Sequence, residues 1–164
     1  MKNWIILAFV SCSLYCSGQN WQVLHDSASY YLDIGNVTKA HELANRLPSG
    51  KDAKQQYQKH LLHSLIQFGY SNLRSSIYYL DQAKALVNNR AVKLSHDDFI
   101  DLQFDYCDRY YEMNEMEKVD SLLEVIKKQS GKTIPEAYYT LKINTSATSK
   151  KSSRPIPVLT WLKK

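Results

Sequence analysis

From Trp21 to Ile126 the apolar residues return every three or four positions rather than every two, and short polar breaks cut them into helix-length segments. Each segment is apolar along one stripe only, so it needs a neighbour to cover that stripe. Five Gly and four Pro in 164 residues leave too few turn formers for a strand-rich sandwich. The spacing predicts helices over about 21–34, 37–47, 52–68, 73–87, 96–113 and 115–128, paired as three hairpins, with 135–143 opening a further unit. Ser95 is placed to cap the fifth helix, with Asp98 answering it as a capping box.

The hairpins also match one another. Tyr31-x3-Gly35-x-Val37-x2-Ala40-x2-Leu43-Ala44-x2-Leu47 aligns without gaps on Tyr110-x3-Asn114-x-Met116-x2-Val119-x2-Leu122-Leu123-x2-Ile126. Ser71-x-Leu73-x2-Ser76-x2-Tyr79-Leu80-x2-Ala83 carries the second half of the pattern. This resembles the tetratricopeptide family of helical repeats, in which a glycine precedes the turn and a small residue sits where two helices cross. The breaks at Gly35, Ser71 and Asn114 depart from a steady 34-residue period, and Val119 replaces the small crossing residue. The resemblance implies an all-α superhelix of about three hairpins whose apolar faces shelter one another in succession.

Charge falls unevenly along the chain. The net +5 belongs to the ends, because residues 19–141 hold 14 Lys and Arg against 16 Asp and Glu. A phosphate-tracking surface on the folded body is therefore not expected, and nucleic acid is not an expected partner. Lys2, the apolar run Trp4 to Val10 and the small residues before Gln19 read as a signal peptide over 1–18, so export is expected, and the tetratricopeptide resemblance implies the periplasm or cell envelope as the destination. Phe9-Val10-Ser11-Cys12 resembles a bacterial lipobox, giving Cys12 as an alternative lipidation site. Cleavage before Gln19 leaves Cys107 alone, so stability has to come from packing and the thiol is best buried.

The sharpest polar pattern lies on the fifth helix. Asp97, Asp101, Asp105, Asp108 and Glu112 recur at spacings of three and four, and with Asp98 they fall within a single arc. The plain reading is a solvated face. The functional reading is a strip for a basic protein or peptide, since the resemblance implies that the first helix of each hairpin lines a groove. Twelve tyrosines, eight in adjacent pairs, suggest one ring of each pair in the core and the other outside. Tyr30, Tyr57 and Tyr106 are the aromatic candidates for such a groove, with His60 beside them.

No nucleophile elbow, phosphate loop or metal-ligand motif occurs, so no catalysis, metal or cofactor is expected. Residues 19–144 are read as the helical domain and 145–164 as a flexible basic tail with a short apolar patch, available for weak membrane contact or for lying along the acidic strip. The expectation is a non-catalytic protein- or peptide-binding module, which the tetratricopeptide resemblance implies to be a scaffold or sensory module of the bacterial envelope. The alternative is a small-ligand or metal-binding envelope protein using an acidic, tyrosine-lined groove.

Overall fold

A computed structural model describes residues 21–49, 52–130 and 136–148. Every regular element among them is a helix: α1 over 21–33, α2 Val37–Asn45, α3 Ala53–Gly69, α4 Leu73–Asn88, α5 His96–Glu112, α6 Met116–Ser130 and α7 Glu136–Thr148. From α2 onward, the extensive packing is between helices adjacent in the chain, most of all α3 with α4 and α5 with α6. Residues 1–20, where a signal peptide and Cys12 were expected, and residues 149–164 lie outside the described residues, whereas 145–148, expected to open a flexible tail, continue α7 as helix.

The turns explain why the breaks fall where they do. Gly35, Ser71 and Asn114 all take the left-handed conformation, at φ 78°, 58° and 58°. Each donates to the carbonyl three residues back, and the following residue donates to the carbonyl five back: Gly35 to Leu32 and Asn36 to Tyr31, Ser71 to Phe68 and Asn72 to Gln67, Asn114 to Tyr111 and Glu115 to Tyr110. This is a Schellman ending, which satisfies the last carbonyls and reverses the chain within two residues. Asn36 then caps α2 by accepting from the Lys39 amide at 3.0 Å.

Inside the first two hairpins small residues meet at matching registers, and in the third Cys107 meets the bulkier Val119 at the same register. Ala28 and Ala40, Ser64 and Ser76, and Cys107 and Val119 are all fully buried. Cys107 has no disulfide partner, and burial pushes its thiol up to about 12, with Asp108 adding to the effect, so it stays a protonated packing group. Gly69, at the end of α3, allows a close approach of the next layer, since a Cβ there would lie 2.9 Å from Val37 Cγ2.

The core passes from one hairpin to the next. Trp21, Ala28, Ala40 and Leu47 of the first pack with Leu62 and Ile66 of α3. Leu80, Leu102 and Tyr106 join α4 to α5, and Ile100, Val119, Leu123 and Ile126 continue to Tyr138 and Leu141 of α7. Tyr110 and Leu122 touch both of the latter clusters, so burial is shared across hairpin boundaries. The expected capping box is present: the Ser95 hydroxyl accepts from the Asp98 amide at 3.1 Å, and the Ser95 amide donates to Asp98 Oδ2 at 3.3 Å.

Three of the four tyrosine pairs divide as their 100° offset allows, while Tyr110 and Tyr111 are both half-buried against the same core cluster. Tyr30, Tyr78 and Tyr139 are more than half exposed, while their neighbours Tyr31, Tyr79 and Tyr138 turn inward, each pair meeting edge to face at about 5.4–5.5 Å.

Candidate functional site

Helix α5 divides its circumference among three tasks. Leu102 and Tyr106 face α4, Ile100 and Cys107 face α6 and α7, and the carboxylates occupy the remaining arc. Asp97, Asp101 and Glu112 are exposed and Asp108 is half-buried. Asp98 sits in the same arc but is engaged by the cap, its Oδ2 accepting from the Ser95 hydroxyl at 2.6 Å.

Crowding and burial leave this strip electrostatically strained. Burial raises Asp101 above the usual carboxylate range, and Asp105, Asp98 and Asp97 raise it further. Asp108 is pushed up to about 6, first by burial and then by Asp105 and Glu112, with Arg109 opposing. Tyr57 reaches the same strip from α3: its ring is buried, and burial together with Asp98, Asp105 and Asp101 raises its hydroxyl to about 12. The structure therefore brings Tyr57 together with Asp98, Asp101 and Asp105.

Other candidates go elsewhere. Tyr106 points away from the strip, donating to Asp81 Oδ1 of α4 at 2.7 Å beneath the Lys84 ammonium. Tyr30 lies exposed on α1 with Val23, and Ile34 just past the end of that helix is exposed as well. His60 and His63 turn toward the Tyr79 ring of α4, at 6.3 and 5.1 Å. Burial lowers the basicity of both, with Lys59 adding to it, and His63 falls to about 4. Among the described residues no three His, Cys, Asp or Glu side chains converge as a metal site.

The residue that sequence reasoning missed is Arg109. It is 1% exposed, yet it carries a full charge between two hairpins. Its Nε donates to Ser76 Oγ at 3.1 Å, and Ser76 Oγ in turn donates to the Ser64 carbonyl at 2.9 Å. Its Nη1 donates to Asp105 at 2.8 Å, and its guanidinium lies 4.3 Å from the centre of the Phe68 ring. Burial raises Asp105 while the Arg109 charge and hydrogen bond oppose the rise. Asp105 is thus a structural anchor, and the strip's carboxylates without a hydrogen-bond or ion-pair partner among the described residues are Asp97, Asp101, Asp108 and Glu112. The signal available in sequence was the Asp105 to Arg109 spacing of four combined with Ser at both small crossing positions.

Among the described residues no helix is long and apolar enough to cross a membrane. No family model, curated protein or solved structure matches the chain.

Proposed function

We propose that the protein is a non-catalytic binding scaffold or sensory module of the bacterial envelope, built as a degenerate tetratricopeptide-like array, that engages a basic protein or peptide along α5. The matched Schellman turns at Gly35, Ser71 and Asn114 and the small residues buried at matching registers support the repeat reading. One observation carries the functional reading. Asp101 and Asp108 are held above their ordinary range by burial and by neighbouring carboxylates, so an arriving cation relieves repulsion that already exists.

Tyr57 gives the strip an aromatic floor beside Asp98, Asp101 and Asp105. A Lys- or Arg-rich segment fits such a surface by charge. The test is fluorescence anisotropy of a labelled Lys-rich peptide at low and high salt, with the protein and with Asp97→Asn/Asp101→Asn/Asp108→Asn/Glu112→Gln. The reading expects affinity to fall at least about tenfold in the variant and with added salt. Affinity indifferent to both would remove the strip from the account.

A further inference from the structure

We propose a second binding site, for a small amphipathic carboxylate of the medium-chain fatty acid class, in the groove between the α4–α5 connection and the end of α6. It is separate from the acidic strip and does not depend on it. The groove has a volume of about 560 Å3, and its walls combine apolar Val92, Leu94 and Phe99 with cationic or protonatable Arg90, Lys93 and His96. That volume lies within the range of about 300–1,000 Å3 usual for small-molecule sites.

The lining contains no carboxylate, and neither the Arg90 nor the Lys93 side chain has a hydrogen-bond or ion-pair partner among the described residues. These two are cations collected beside apolar surface with nothing of opposite sign in the wall. The nearest acidic group of the α5 capping box, Asp98, is turned back onto Ser95 by bonds of 2.6 and 3.3 Å.

The backbone presents Arg90 in an unusual way. Arg90 takes φ 58° as α4 ends, with its amide donating to the Val87 carbonyl and the Ala91 amide donating to Leu86. Glycine fills such a position most cheaply, whereas an arginine there carries left-handed strain and places a planar fork of donors on the groove. A guanidinium fork matches a carboxylate through two parallel hydrogen bonds, and the Lys93 ammonium adds a point charge. The half-buried Val92, Leu94 and Phe99 offer the surface along which an alkyl chain loses contact with water.

One carboxylate head and one apolar tail satisfy both halves of the lining.

Isothermal titration of the full 164-residue chain with decanoate, with decan-1-ol as the uncharged control, tests the site. The site predicts one saturable equivalent with Kd on the order of 10–100 μM for decanoate and at least about tenfold weaker binding of the alcohol. Lys93→Glu and Arg90→Glu, both at exposed positions and checked for helicity by circular dichroism, should each weaken decanoate about tenfold, with Lys93→Gln giving a smaller loss in the same direction. Asp101→Asn should leave it unchanged. Decanoate no tighter than decan-1-ol, no saturation below about 1 mM, or affinity indifferent to charge reversal at both positions would overturn the proposal.

Discussion

Replacing Arg109 with alanine should be the most damaging single change on α5. The substitution removes the hydrogen bonds to Ser76 and Asp105, the stacking over Phe68, and the cation that balances the Asp105 carboxylate. Breaking a buried pair from one side costs about 3–5 kcal/mol because the remaining charge stays unpaired. The Asp105 side chain keeps 28% of its exposure, so water screens part of that penalty and about 2–4 kcal/mol is the working figure. Against a total stability of about 5–15 kcal/mol for a domain of this kind, such a loss is readily measured in urea. Arg109→Met with Asp105→Asn removes both charges while keeping most of the volume, and should recover more than half of the loss. Equilibrium unfolding of the wild type, both single variants and the double variant gives the coupling energy directly. A loss below about 1 kcal/mol for Arg109→Ala, or a double variant no more stable than Arg109→Met alone, would show that the clamp does not hold the hairpins together.

Two titrations act with opposite sign. Asp108 has its folded pKa raised from 3.8 to about 6, so its contribution is present below about pH 4 and is lost as pH rises through 6. Asp108→Asn should therefore stabilise the protein at pH 7 by about 1–2 kcal/mol, a gain that vanishes near pH 4 in urea unfolding. His63, flanked by Lys59, His41 and His60, has its folded pKa lowered from 6.5 to about 4, so its contribution is present above pH 6.5 and is lost as pH falls toward 4. His63→Leu should remove on the order of 2–3 kcal/mol of acid sensitivity across that window, read by comparing melts at pH 7 and pH 4. Ser71→Gly and Asn114→Gly relieve left-handed strain, and each should raise stability by up to about 1 kcal/mol in thermal melts.

The spacing of apolar residues was enough to place the helices, because a stripe recurring every three or four residues is covered only when the segment is helical and packed on a neighbour. The Ser95 capping box and the breaks at Gly35, Ser71 and Asn114 were equally legible, since they depend on local chemistry alone. The end of α7 was not. It runs to Thr148, past the expected 143 and into the stretch from 145 read as a flexible tail, because extending an existing helix costs little per residue even for poor helix formers. Arg109 was hidden for a different reason. An arginine on a helix normally reads as solvated, and only the meeting of Ser64 and Ser76 across α3 and α4 creates the polar niche that buries it. The acidic arc was visible in the sequence, but its division was tertiary: Asp98 belongs to the cap, Asp105 to the clamp, and Asp101 and Asp108 carry the unrelieved charge.

The most direct measurement of that unrelieved charge is a 13C NMR titration of the Asp108 carboxyl carbon, free and with a saturating Lys-rich peptide. A midpoint near 6 is expected in the free protein, moving down when the peptide supplies its cations. A midpoint near 4 in the free protein, unmoved by the peptide, would contradict it.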